Sequence, residues 1–104
     1  MEKNSANSPD CILYTLSTLG DKWSLLIVRE MTECPQSFSD LEASLNGISP
    51  RTLSMRLNKL LSDKIIIKNL YCEHPPRYQY SLTEKGTDLK NILKDMSVWG
   101  KKYV

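Results

Sequence analysis

The chain has one histidine, three cysteines and four glycines in 104 residues, and the first two shortages each remove a class of function. With His74 alone, neither a histidine-based catalytic triad nor a multi-histidine metal site can be assembled. Cys11, Cys34 and Cys72 are too few, too widely spaced and odd in number for a disulfide framework or a zinc knuckle, so reduced thiols without metal are expected. Neither GxGxxG nor GxxxxGKS/T occurs, and serines such as Ser24 and Ser54 have no base beside them. These absences argue against an enzyme and imply no cofactor. No run of about eighteen apolar residues is present to span a membrane, and the opening MEKNSANSPD lacks the apolar stretch of a signal peptide. A cytoplasmic protein is expected, with residues 1–9 forming a flexible polar arm.

What is present is the composition of one small globular domain, placed at residues 10–104, with 40% apolar and 25% charged residues. The net charge of +2 is mild, but its distribution is uneven. Residues 1–48 carry three cations and seven anions, residues 49–79 six and two, and residues 80–104 five and three. The basic middle is centred on Ser49–Asp63, SPRTLSMRLNKLLSD. Ser49 suits an N-cap and Pro50 the first helical position, where its missing N–H costs nothing. Leu53, Leu57, Leu60 and Leu61 recur at helical spacing and form a stripe that must be buried. The other side shows Arg51, Thr52, Met55, Asn58 and Lys59, with Arg56 on the flank. Before Asp63 this helix has three cations and no carboxylate, as a surface facing phosphates would.

The flanking segments give that helix a context. Asp10 can cap a first helix that Gly20 stops, and a second helix from Lys22 to about Glu33 is apolar nearly all round, as a central core helix is. Cys34-Pro35 ends it, leaving Gln36 to Phe38 as a short edge strand. Ser39 and Glu42 match a capping box for a brief helix from Asp40 to Leu45, and Asn46-Gly47 marks a turn. Short helix, tight turn and basic helix together make a helix-turn-helix, whose second helix enters the major groove. Lys64 to Tyr71 and Arg77 to Leu82 then read as two strands around the polar loop Glu73 to Pro76. A hairpin directly behind such a helix is a wing, with His74 at its tip and Lys68 opposite Arg77. Thr83 caps a last helix from Glu84, about 84–104, with Leu89, Ile92, Leu93, Met96, Trp99 and Tyr103 along one stripe. That stripe exceeds what one small core needs, so a second subunit is the economical partner for it.

These residues resemble the HxlR-type winged helix-turn-helix regulators, relatives of the MarR group. The matching pieces are Asp10-Cys11, Leu19-Gly20-Asp21-Lys22-Trp23, Leu25-Leu26-Ile27, Arg29-Glu30 and Phe38-Ser39-Asp40-Leu41. They continue with Gly47-Ile48-Ser49-Pro50-Arg51, Leu53, Arg56-Leu57, Pro75-Pro76-Arg77-Tyr78, Tyr80-Ser81-Leu82-Thr83, Gly86 and Trp99-Gly100. The resemblance covers residues 10–100. It implies a mainly α fold with a small β-sheet, and a homodimer joined by the N- and C-terminal helices on an imperfectly palindromic double-stranded DNA operator. By position, Ser49, Arg51, Thr52, Met55, Arg56 and Lys59 would face DNA from the helix, and Arg77 from the wing. Arginine can fork onto guanine O6 and N7, whereas lysine neutralises phosphate. Met55 departs from the family, where a polar side chain is frequent.

Some members of the family sense quinones, aldehydes or oxidants through a cysteine at the position of Cys11. A thiol at a helix N-terminus is acidified by the dipole, which makes Cys11 a candidate redox sensor. The family's usual Cys-Pro-Val is Cys-Ile-Leu here, and an inert thiol buried at a dimer interface remains the alternative. Two other functions stay open. One is a winged-helix module that docks its basic helix on an acidic protein. The other is a repressor gated by a small molecule in a dimer-interface pocket, for which Tyr14, Trp23 and Trp99 are candidate lining residues.

Overall fold

The N-terminal helices form where aspartates can close them. In the computed structural model, which describes residues 10–104, the Asp10 carboxylate accepts from the N–H groups of Ile12 and Leu13 at 3.1 Å each, opening α1 (Cys11–Leu19). Asp21 does the same for α2 (Lys22–Glu30), accepting from Ser24 N–H at 2.9 Å. Helix α2 stops three residues earlier than expected. Its end tightens into i→i+3 bonds from Met31 N–H to Val28 and from Thr32 N–H to Arg29. The Thr32 hydroxyl also donates to the Arg29 carbonyl at 2.8 Å. The expected arm at residues 1–9 lies outside the described residues.

Helix α3 (Phe38–Ser44) corrects the expected cap. Ser37, not Ser39, is the N-cap, and its reciprocal partner is Asp40: Asp40 N–H donates to Ser37 Oγ, and Ser37 N–H donates to the Asp40 carboxylate, both at 3.0 Å. The motif is present twice in overlapping register, at 37–40 and 39–42. The earlier register lets Phe38 enter the helix while Leu41 and Leu45 are buried. The expected edge strand shrinks to a single bridge, in which Gln36 and Tyr80 exchange backbone hydrogen bonds at 2.9 and 2.7 Å.

Helix α4 (Pro50–Ser62) starts as expected, with Thr52 N–H donating to Ser49 Oγ at 3.1 Å and Pro50 in its first turn. Leu53, Leu57 and Leu60 are at most 1% exposed, and Leu61 is half-buried against the same core. The helix ends in a Schellman arrangement: Lys64 takes a left-handed φ of 61°, and Ile65 N–H reaches back to the Leu60 carbonyl at 2.9 Å. Lys64 and Ile65 therefore belong to this cap rather than to the strand expected there.

The hairpin consists of β1 (Ile66–Glu73) and β2 (Pro76–Leu82), paired antiparallel from Ile66–Leu82 to Glu73–Pro76 with a bulge between Leu70 and Cys72. The turn is His74-Pro75 alone, not four residues. Pro76 can open β2 because the first residue of a strand tolerates a missing donor. Lys68 pairs with Tyr80, and Arg77 with Cys72, so the two cations lie on opposite strands of the hairpin but on different rungs. Only the base of the hairpin, at Ile66, Tyr80 and Leu82, packs on the core; the rest projects.

The last helix is two. Thr83 caps α5 (Glu84–Thr87), accepting from Gly86 N–H while its own hydroxyl lies 2.6 Å from the Lys64 carbonyl. Gly86 is pressed on the Ile65 carbonyl, where an added Cβ would lie 2.2 Å from the oxygen. The chain then turns at Asp88 into α6 (Leu89–Tyr103). Leu89 and Leu93 lean on the core, but no residue of α6 is buried, and Ile92, Met96, Trp99 and Tyr103 are exposed. Ile12, Leu13, Tyr14 and Leu16 of α1 are exposed as well. No single helix among the described residues is long and apolar enough to cross a membrane.

Candidate nucleic-acid interface

Burial of one α4 stripe decides what the other side offers. Ser49, Arg51, Met55 and Lys59 are exposed, while Thr52 and Arg56 are half-buried. The Ser49 hydroxyl is already engaged in the cap and donates to Thr52 Oγ1 at 3.0 Å, so these two side chains shape the N-terminal end of the helix together. Met55 is 53% exposed in the middle of the face, an apolar surface suited to a thymine methyl. Arg77 stands exposed on β2 of the hairpin.

The cations of α4 are not equivalent. Lys59 Nζ lies 2.6 Å from the Asp63 carboxylate, one turn on, and Arg56 Nε lies 3.5 Å from Asp21 Oδ2 at the start of α2. The Arg56 contact is one of charge, because the buried Nε makes no aligned hydrogen bond. The acid-poor sequence of α4 is thus answered in part from inside the protein, by Asp63 at its end and by Asp21 from another helix. Arg51 alone of the three α4 cations has no ion pair among the described residues. Sequence reasoning missed Asp21 because a carboxylate thirty-five positions away carries no periodic signal.

Asp21 joins α2 to α4 through three contacts. It accepts from Ser24 N–H at 2.9 Å and from the wholly buried Ser24 hydroxyl at 2.7 Å, and it faces Arg56. Burial pushes its carboxyl upward, but the Ser24 hydrogen bonds and the Arg56 charge outweigh that and hold it below the ordinary carboxylate value. A lowered folded value contributes stability above the unfolded value, which is lost as pH falls through the folded one. Asp21→Ala is therefore expected to cost about 1 kcal/mol at neutral pH through the lost cap. Thermal unfolding across the carboxylate range should show a shallower acid loss for the variant than for the parent.

Cys11 heads α1 and is exposed in the single chain; its carbonyl accepts from the Thr15 hydroxyl at 3.0 Å. Cys34 is exposed and Cys72 half-buried. The three aromatic residues considered for a dimer-interface pocket each have a partner within the chain. Tyr14 Oη accepts from Lys85 Nζ at 2.7 Å, which holds the phenol below its usual pKa; Lys22 sits over the Trp23 ring; Trp99 packs on Tyr103 with centroids 5.2 Å apart. None of them lines the cleft of about 280 Å³ between α2 and α6, whose floor is Leu25, Leu26, Leu93 and Met96.

A short helix, a turn, a helix with one exposed face and a projecting two-stranded hairpin define a winged helix-turn-helix. The HxlR-like helix-turn-helix profile matches residues 18–104, and the chain belongs to that family, one of transcriptional regulators. It is 40% identical over 90 residues to the regulatory protein MalR of Fusobacterium mortiferum, covering 86% of this chain and 85% of that one. Among solved structures it resembles the redox regulator HypR in its oxidised form, with a TM-score of 0.85 and 30% identity over 90% of this chain and 97% of HypR. It also resembles quinone-bound YodB of Bacillus subtilis, with a TM-score of 0.77 and 26% identity over 92% of this chain and all of that one.

Proposed function

We propose that the protein is a cytoplasmic, sequence-specific DNA-binding regulator that acts as a homodimer on a pseudo-palindromic operator. The observation that carries this reading is the division of α4 into a buried leucine stripe and an exposed face on which Arg51 has no ion pair among the described residues. Two recognition helices related by a two-fold axis read half-sites about 10 bp or a multiple apart, on one face of the duplex. Ser49, Thr52 and Met55 shape the contact, Arg51 reads bases, and Arg56, Lys59 and Arg77 hold phosphates or groove edges. The exposed stripes of α1 and α6 are the surfaces available for pairing. No catalysis is part of this reading.

The signal is placed at Cys11. It opens α1, the helix whose exposed face would lie in the dimer, so a change at its sulfur would act directly on subunit geometry. HypR and YodB, regulators captured in oxidised and quinone-bound forms, support a thiol-reactive effector here. The expected result of a genomic DNA pull-down is an enriched palindrome with reduced protein that changes on diamide treatment and no longer changes in Cys11→Ser. Enrichment identical in both states would discard the redox switch. No enrichment in either would move the function to protein docking.

Arg51→Ala is expected to lower operator affinity by about 1–3 kcal/mol and to relax the preference at one base position in each half-site. Competition binding against single-base operator variants measures both effects. Equal losses on operator and random DNA would show that Arg51 holds phosphate instead.

A further inference from the structure

Three helices meet at one ammonium group. Lys85 Nζ donates to the Tyr14 hydroxyl on α1 at 2.7 Å and to the Asp63 backbone carbonyl at the end of α4 at 2.8 Å, while its own backbone lies in α5. None of the interface residues above accounts for this bridge. Resting on the reading of a DNA-binding homodimer and deepening it, we propose that Lys85 is a positioning residue. It locks α1 to the C-terminal end of α4 and so sets the spacing at which the two recognition helices of the dimer meet DNA.

The α4 side of the bridge is rigid. Asp63 N–H donates to the Lys59 carbonyl at 2.9 Å, and the Asp63 carbonyl is one of the acceptors that a helix end leaves without an intrahelical donor. The helix dipole favours a cation there as well. The residues on either side of Lys85 are fastened to the same helix closure. Thr83 Oγ1 lies 2.6 Å from the Lys64 carbonyl, Thr83 N–H donates to the Ile65 carbonyl at 3.0 Å, and Gly86 is pressed on that carbonyl too. Lys85 therefore moves with the end of α4. The Asp63 carboxylate in turn holds Lys59 at 2.6 Å, so the bridge runs on to a residue of the proposed DNA face.

The α1 side is the part that needs fastening. Helix α1 turns away from α2 by 77°, and its buried residues are Thr18 and Leu19 at its end; Ile12, Leu13, Tyr14 and Leu16 are exposed. The hydroxyls of Thr15 and Ser17 bond back to carbonyls of α1 itself. Tyr14 reaches another element instead, more than a turn ahead of the buried end. A helix held at one end can pivot, whereas one held at two points keeps its direction. In a two-fold dimer that pairs through α1, any change in that direction is applied twice to the separation of the α4 helices. Cys11 lies on the same helix one turn before Tyr14, so a change at its sulfur acts on the arm that this bridge holds.

The test uses the operator recovered with the full-length protein, with its half-sites at their own spacing and moved by one base pair. That step shifts a half-site by about 3.4 Å along the duplex and turns it about the axis. Lys85→Met and Tyr14→Phe are each expected to lose several-fold of the parent's preference for its own spacing, with unchanged affinity for an isolated half-site. Lys85→Arg, which keeps more than one donor, should recover the preference. Adding Tyr14→Phe to Lys85→Met should cost nothing more, because both break one interaction. A spacing preference unchanged in both single variants, losses that add, or a parent indifferent to spacing overturns the proposal and leaves the DNA reading standing. A loss on the isolated half-site equal to that on the operator overturns it too, since Lys85 would then only support the fold of α4. If the parent binds no palindrome at all, the DNA-binding homodimer itself fails and the positioning role with it.

Discussion

Leu57→Ala removes about 2–5 kcal/mol of unfolding free energy, an effect of the size expected for emptying a buried leucine site. Leu57 is 1% exposed and belongs to the leucine stripe of α4, between Leu53 and Leu60, both without accessible surface. Truncation loses the transfer free energy of the removed carbons and leaves a cavity that a helix pinned at both ends cannot collapse. The Ser49 cap fixes one end and the left-handed Lys64 closure the other. Small domains carry only about 5–15 kcal/mol of stability in total, so a large share goes at once. Urea denaturation at fixed protomer concentration should show a lower midpoint with an unchanged slope. Met55→Ala, two residues earlier but half-exposed, should stay within about 0.5 kcal/mol of the parent. The pair separates the structural face of α4 from the face proposed to meet DNA.

Trp99→Asp has the largest expected effect on function. Trp99 is 69% exposed on α6, in a row with Ile92, Met96 and Tyr103, and it packs on the Tyr103 ring. Among the described residues nothing buries this row, and α1 adds Ile12, Leu13 and Leu16 as further exposed apolar surface. Placing a carboxylate there costs the folded monomer almost nothing, because the position is solvated. In a homodimer the same carboxylate would be desolvated without a partner, a penalty of several kcal/mol per protomer. Sedimentation should therefore give a monomer for the variant and a dimer for the parent, with far-UV circular dichroism unchanged. Losing the second recognition helix removes the effective-concentration gain, about 10²–10⁴ in operator affinity. A variant that stays dimeric with full affinity would place the subunit contact elsewhere.

The two predictions draw on features with different legibility. The leucine stripe, the Ser49 cap and Pro50 are local, and spacing and residue type sufficed to place α4. The hairpin was recognised, but its bounds shifted. Lys64 and Ile65 are taken by the Schellman closure of the preceding helix, and Pro76 serves as a strand residue. For α3 the sequence held two overlapping capping boxes of equal local merit, and only the burial of Leu41 and Leu45 beside Phe38 distinguishes them. The proposed interface shows the same split. Arg51 is exposed with no ion pair among the described residues, whereas Arg56 and Lys59 meet Asp21 and Asp63.

By itself the sequence determined what depends on neighbours within a turn or two: the helix caps at Asp10 and Ser49, the amphipathic stripe of α4, the order of elements, and the family those motifs mark. Tertiary structure decided what depends on residues far apart in the chain. It broke the last helix at Asp88, carried Asp21 to Arg56 and set Lys68 against Tyr78 and Tyr80. It also set Lys85 between Tyr14 and the end of α4. The physical reason is that caps and periodicity are settled by backbone geometry over a few residues. Pairing of charges and the shape of clefts are settled by which surfaces the core draws together, and no short-range pattern records that.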